Sequence, residues 1–565
     1  MTPTIPHPER PMTLFDHLET IRRGTKVTVR EKRTPSPYQQ AILDDVRSGL
    51  RVITVGATAG SGKTSLLEMI ADVLDETGTH SGGEETQAIT GPVGFLAFNQ
   101  HIVKELKKRL SATFDIRTVS SLGHKICTEH LPGLKFEPRK YEDLTREIVQ
   151  GAGVPSPAAR RELQDRLTAY LDLHVGHALG LDITLPDWAA AMDAVDAPIL
   201  GAEEILHTLT LRTLRQGLAL LQRQQVMSFT DQVLAPTTFG WRPGTPYAFL
   251  LVDELQDLSA AQLGLLQLAT DDHTRLVAVG DQDQSLYAFN GADVDSMANF
   301  TRLFGAVERP LSITYRCPER HVQLARPFTQ AIEAAPGAKP GTLDDLTGDE
   351  FLSLARPRDL ALCRTNAPLI DWCNRLINAG IPAIVRGRDL ARSLTALARD
   401  AATFDGKRVH RDQAKDRLPL TDFSGKLNAY AEHLAAKIER EAQAQGREAD
   451  MRIANLADRL TALMNTFDEA QAGTLGDLIT AIRTLFNGDP ERSVVLSTVH
   501  RAKGLEADRV FILEPGLLPH PKARTPQAAD TERCLQFVAF TRSKRDLFFV
   551  DAQESRIPEG LRGRE

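Results

Sequence analysis

Short apolar runs punctuate the chain. RVITVG (51–56), VGFLAF (93–98), AFLLV (248–252) and RLVAV (275–279) form one group, and RDLALC (358–363), IPAIV (381–385), SVVLS (493–497), RVFIL (509–513) and DLFFV (546–550) form another. Their near-continuous hydrophobicity is the pattern of strands covered on both faces. Helical patterns lie between them, so the strands are expected to run parallel through helical crossovers. Two stretches break the alternation, at 125–225 and 388–485, and both are helical in pattern. In the second, AYAEHLAAKIEREAQAQGREADMRIANLADRLTALM reads as two helices turning at Gln445-Gly446. The first 35 residues are Pro-rich and then basic (IRRGTKVTVREKR), the signature of a weakly ordered arm.

The fold class expected is α/β, with two parallel-sheet domains that each carry an α-helical insertion. The layout is an arm at 1–35, a first domain at 36–124 and 226–309 interrupted by 125–225, a second domain at 310–387 and 486–555 interrupted by 388–485, and a tail at 556–565. A length of 565 residues agrees with several cores rather than one.

Composition narrows the class further. No run of 18 apolar residues occurs and MTPTIPHPERPMTLFDHLE lacks an apolar leader, so a soluble, unprocessed protein without a membrane partner is expected. Cys127, Cys317, Cys363, Cys373 and Cys534 are scattered with no C-x-x-C pair, which argues against zinc and disulfides and for the cytoplasm. The net charge of −7 confines any nucleic-acid contact to local patches.

ATAGSGKTS follows the strand RVITVG and runs into the helical TSLLEMIADVL. It matches the phosphate-binding pattern G-x-x-x-x-G-K-[ST] except that Ala57 stands at the first glycine. Backbone N–H groups of such a loop wrap phosphate oxygens at a helix N-terminus, Lys63 reaches the β/γ-phosphates and Thr64 holds Mg²⁺. In LLVDELQD an apolar strand ends at Asp253, at the sheet edge where open α/β folds bind ligands. Asp253 would complete the Mg²⁺ shell and Glu254 would orient and deprotonate the attacking water.

An ordered series extends these two elements: SPYQQAIL (36–43), ATAGSGKT, LAFNQHIVKEL (96–106), TVSSLGHKI (118–126), SFTDQVL (228–234), DELQD (253–257), GDQDQSLYAFNGAD (280–293), LSITYRCP (311–318), LCRTNAPL (362–369), STVHRAKGLEADRVFIL (497–513) and LQFVAFTRSKRDLFFV (535–550). The series resembles the motifs of the UvrD-like superfamily 1A DNA helicases, in their order. The resemblance implies two RecA-like domains, ATP and Mg²⁺ as cofactors, and 3′→5′ movement on single-stranded DNA with unwinding of tailed duplex. It implies that Gln39 reads adenine, Tyr315 stacks on it and Glu506 contacts the ribose, with Ala59, Gly60, Ser61, Gly62, Lys63, Thr64 and Ser65 lining the phosphates. Gln284 would sense the γ-phosphate, and Arg316 and Arg542 would act as arginine fingers. Tyr287 and Phe289 would stack on bases, with Phe98, Asn99, Thr498 and His500 as further DNA contacts.

The chain departs from the pattern at Phe289, Asn290 and Ser65, where members commonly carry Trp, Arg and Arg. The second insertion is short for the family. After DLFFVD the stretch AQESRIPEGLRGRE holds no aromatic hairpin to part a duplex. Two alternatives therefore stand beside the helicase: a translocase without intrinsic unwinding, and a nucleotide-gated subunit of a repair or anti-phage complex with a protein partner.

Overall fold

The computed structural model describes residues 34–79, 91–97, 100–110, 113–154, 157–194, 203–285, 295–329, 331–444 and 449–564. The arm expected at 1–35 falls almost wholly outside them.

β1 (Val52–Ala57), β2 (Val93–Ala97) and β3 (Asp115–Thr118) precede the first helical insertion. The two-residue strands β4 (Lys135–Phe136) and β5 (Val226–Met227) pair in parallel at its foot. β6 (Phe249–Val252), β7 (Arg275–Gly280) and β8 (Val307–Leu311) complete a six-stranded parallel sheet of order β3-β2-β6-β7-β1-β8. A short parallel pair, β9 (Ile313–Thr314) with β10 (Glu333–Ala334), leads into the second sheet. That sheet comprises β11 (Thr342–Leu346), β12 (Leu360–Cys363), β13 (Ala383–Val385), β14 (Val494–Thr498), β15 (Ala507–Leu513) and β16 (Ser543–Val550), all parallel in the order β11-β16-β15-β12-β14-β13. The chain therefore holds two parallel α/β domains, consistent with RecA-like folds.

All nine apolar runs form strands of these sheets. The three additional sheet strands, β3 (DIRT), β8 (VERPL) and β11 (TLDDL), lie at edges, where one side has no neighbour and polar residues and Pro310 are accommodated. β8 runs to Leu311, past the boundary drawn at 309. The edge of β11 is covered by the C-terminal segment. Leu343 and Gly563 exchange N–H···O bonds of 2.8 and 2.9 Å, and Arg562 and Arg564 pair with Asp345 and Asp344.

The first insertion contains helices Lys140–Gly151, Pro157–Gly176, Leu185–Ala194 and Glu203–Gln224. A buried ion pair fixes its base. Lys140 Nζ lies 2.5 Å from Asp231 Oδ2 and donates to the carbonyls of Gly217 and Val226, while Tyr141 and Ser228 donate to the same carboxylate. With its protons and lone pairs matched, the pair avoids the penalty of an unpaired buried charge.

The second insertion is built from Arg388–Ala402, Phe423–Ala444, Asp450–Ala470 and Leu475–Phe486. The turn expected at Gln445-Gly446 lies outside the described residues. Phe423, Leu463 and Ile479 share one apolar core with Val494, Leu496 and Phe511 of the sheet. Asp458 accepts from the Asn366 and Ala367 backbone N–H groups and from Asn366 Nδ2 at 2.7–3.0 Å, satisfying the start of helix Ala367–Asn378. Asp458→Ala should cost about 1–2 kcal/mol through this lost cap, measurable as a lower urea midpoint. An unchanged midpoint would show that the cap contributes nothing.

Candidate functional site

β1 is buried except at Gly56, and helix Lys63–Thr79 starts directly after the loop 58–62. Ala57 belongs to the strand, in register with Leu311, so the first position of the phosphate loop needs no left-handed backbone and tolerates a Cβ. Gly60 and Gly62 differ, with φ of +70° and +85°. A Cβ on Gly60 would sit 2.5 Å from Arg316 Cβ and 2.7 Å from Thr314 Oγ1. The loop is stitched to the segment leading into the second domain, since Thr58 N donates to Leu311 O (3.1 Å) and Tyr315 N to Gly60 O (2.9 Å). Ala59 and Ser61 are buried, and Ser61 donates to Thr58 O at 2.8 Å. Thr64 and Ser65 fall in the first helical turn.

Lys63 Nζ lies 3.9 Å from Glu254 Oε2. Burial pushes the Lys63 ammonium down, but the charges of Glu254, Asp281 and Asp253 outweigh it and raise it. Glu254 holds a left-handed backbone (φ 52°) that turns its side chain off the end of β6. Burial pushes the Glu254 carboxyl up, yet Lys63, Lys503, the Gln256 amide and Arg542 hold it below its ordinary range. Burial and then the neighbouring Glu254 charge push Asp253 up to about 7. Two loops are joined by Gln256, which donates to Glu254 Oε2 (2.6 Å) and accepts from Asp281 N (2.9 Å).

The second domain supplies the opposing cations. Arg542 is buried. Among the described residues it donates to the carbonyls of Val538 (2.9 Å) and Leu505, to Thr541 Oγ1 (3.0 Å) and to Gln284 Oε1 (3.2 Å), with no carboxylate among these acceptors. Burial and then nearby Arg316 lower its guanidinium to about 9. Arg316 binds Glu506 through Nε (2.8 Å) and Nη2 (2.6 Å), and Lys544 holds the other Glu506 oxygen at 2.7 Å. Gln284, itself buried, also donates to Asp281.

At the cleft rim Tyr315 is 56% exposed, which leaves its ring open to a ligand. Gln39 is buried in the capping box of helix Pro37–Arg47, and its Nε2 lies 3.1 Å from where a Gly62 Cβ would stand. Gln39, Lys63, Asp253, Glu254, Gln284, Arg316, Tyr315, Glu506 and Arg542 are therefore brought to one cleft. Thr498 and His500 instead lie at the end of β14. Burial, then Arg364 and Arg501, push His500 down to about 3, so it is neutral at neutral pH. Phe98, Asn99, Tyr287 and Phe289 lie outside the described residues.

Three features were missed in the sequence. Gln256 and Asp281 sit inside the quoted motifs, but their linking role depends on two loops meeting in space. Phe136 and Phe229, 41% and 63% exposed, form an edge-to-face pair with centroids 4.8 Å apart at the foot of the first insertion. The only sequence signal for that pair is the aromatic residue in SFTDQVL.

The buried carboxyls predict a pH dependence. Asp253 and Asp281 titrate near about 7 and about 6 in the folded chain, both above the unfolded value. The stability they confer when protonated is complete below about pH 4 and is lost as pH rises through about 6 to 7. Calorimetry without nucleotide or Mg²⁺ should show the Tm of Asp253→Asn rising relative to wild type as pH increases across that window, because only wild type loses the Asp253 contribution. Parallel curves would refute the assignment.

Comparison with known proteins identifies the family. The model of an AAA domain matches residues 39–290, and that of the UvrD-like helicase C-terminal domain matches residues 252–554. The chain is 23% identical to the ATP-dependent DNA helicase Rep of Salmonella typhimurium, covering 92% of this chain and 91% of the relative. It is 28% identical to the ATP-dependent DNA helicase UvrD2 of Mycobacterium tuberculosis (91% and 78%) and 26% identical to DNA helicase IV of Escherichia coli (56% and 50%). Among the described residues no helix is long and apolar enough to cross a membrane. Family matches that span both parallel sheets, one of them over more than half of the chain, show that the chain belongs to the UvrD-like helicases of superfamily 1A.

Proposed function

We propose that the chain is an ATP- and Mg²⁺-dependent motor that moves 3′→5′ along single-stranded DNA and unwinds tailed duplex. The observation that carries this reading is Arg542, a buried cation from the second domain that meets Gln284 in a cleft opposite Lys63 and Glu254. A buried guanidinium without a hydrogen-bonded carboxylate gains most when an anion arrives, and the γ-phosphoryl group of ATP is such an anion. The relatives' names, as ATP-dependent DNA helicases, support the substrate pair.

In this reading Lys63 binds the β/γ-phosphates along the N–H groups of 59–65. Tyr315 and Gln39 take the adenine. Glu254 stays anionic and orients water against the γ-phosphorus, with Gln256 fixing its carboxylate. Thr64 and Asp253 fit Mg²⁺, being hard oxygen donors of which the carboxylate lies buried among other acids that a dication would neutralise. Mg²⁺ when bound supplies charge neutralisation at the phosphates. Arg316 must exchange Glu506 for phosphate oxygens, which frees Glu506 for the ribose. Tyr287 and Phe289 stack on bases, Phe98, Asn99, Thr498 and His500 complete the track, and the exposed Phe136–Phe229 pair offers a further stacking surface.

Strand displacement on duplexes with a 3′ or a 5′ single-stranded tail tests this, with ATP turnover followed in the same samples. Displacement from the 3′ tail alone is expected, together with DNA-stimulated turnover. Lys63→Ala should lower turnover by roughly a hundredfold or more. Turnover without displacement would make the chain a translocase, and turnover gated only by a protein would make it a switch. Retained turnover in Lys63→Ala would overturn the phosphate-loop assignment. Tyr287→Ala with Phe289→Ala should abolish DNA stimulation while nucleotide binding persists.

A further inference from the structure

We infer that Arg533 and Lys503, both from the second domain, are positioning residues for Gln284, so that ATP turnover requires this domain to be docked on the turn Gln282–Gln284. The inference rests on the motor reading above.

The turn is a single 3₁₀ segment whose own bonds all converge on Asp281 or Gln282: Gln284 N to Asp281 O (3.0 Å), Ser285 N to Gln282 O (3.2 Å), Asp283 N to Asp281 Oδ1 (3.2 Å) and the Gln284 side chain to Asp281 Oδ2. So short a segment has little intrinsic rigidity, and of the Gln284 side chain Asp281 holds only the amide nitrogen, so outside contacts share in fixing the turn. Three cations of the other domain supply them. Arg533 Nη1 donates to Asp283 Oδ1 at 2.8 Å and also to Phe328 O at 2.5 Å. Lys503 Nζ donates to Gln284 O at 2.8 Å and to both oxygens of Asp257 at 2.7 Å. Arg542 reaches the Gln284 side chain.

Arg533 lies on helix Pro526–Phe540, which runs directly into Thr541 and Arg542. One rigid element therefore presents Arg533 to the turn's carboxylate and Arg542 to its amide. Lys503 adds a second link, since Asp257 and Lys503 are almost wholly buried and separating them would strand a carboxylate beside Glu254. Gln284 is thus oriented from across the cleft as well as by Asp281 of its own loop.

Arg533 and Asp283 are partly exposed, at 41% and 24% of their side chains, so reversing their charges should leave the fold intact. In the full chain, Arg533→Asp and Asp283→Arg should each lower kcat for ATP roughly tenfold, with KM and nucleotide affinity within about twofold of wild type, because neither touches nucleotide. Arg533→Asp combined with Asp283→Arg should regain most of that loss. Tm of each variant, measured alongside, should stay near wild type. Single variants with wild-type kcat, or a double variant no better than the worse single, would overturn the inference alone. A wild type without ATP turnover would overturn the motor reading, and the inference with it.

Discussion

Asp253, Glu254, Asp257 and Asp281 crowd one cleft, and burial opposes ionisation of every one. Among the described residues of the same domain, Lys63 is the lysine whose charge acts on all four. Balance is reached only because the second domain inserts Lys503 against Asp257 and Arg542 against Gln284. Like charges crowded in a low-dielectric cleft repel strongly, so the first domain alone is an unfavourable arrangement of acids. Docking of the second domain is the electrostatic completion of the first. That constraint sets where the two sheets must meet and which loops must lie between them.

The scaffold answers the constraint with parallel strands. Parallel pairing sends every crossover to one edge, so the ends of β1, β6 and β7 deliver the phosphate loop, the acidic pair and the Gln282–Gln284 turn side by side. The neighbouring strand ends differ in backbone geometry for a reason. Glycines at 60 and 62 let the chain turn left-handed around an anion, and Glu254 takes the same unusual region without being glycine. Non-glycine strain of that kind persists only where the surroundings hold it, here through Lys63 and Gln256.

Interior strands were legible because both faces are buried and the sequence there is apolar throughout. The edge strands β3, β8 and β11 were not, because an edge has one free side and carries Arg117, Pro310, Asp344 and Asp345 without penalty. β13 is also an edge but was read correctly, because helix Leu475–Phe486 covers it and keeps it apolar. The cleft followed the same division. Lys63, Asp253 and Arg542 belong to contiguous patterns and could be named from them. Gln256 and Asp281 could be quoted but not understood, since their bond joins loops on two strands. Lys503 lies within the motif STVHRAKGLEADRVFIL and Arg533 in no motif, but neither could be assigned its partner, because an ion pair across a cleft depends on how two domains face one another.

The second insertion has a mechanical consequence. Its helices share a continuous core with β14 and β15, and Asp458 ties one of them to the start of Ala367–Asn378. Among the described residues this shared core couples the insertion to the sheet, so the two are expected to turn together. The long helix Phe423–Ala444 is packed into that body through Phe423, Leu427 and Tyr430 and turns with it. A fluorophore on its outer face would report any rotation of the arginine-bearing half of the cleft.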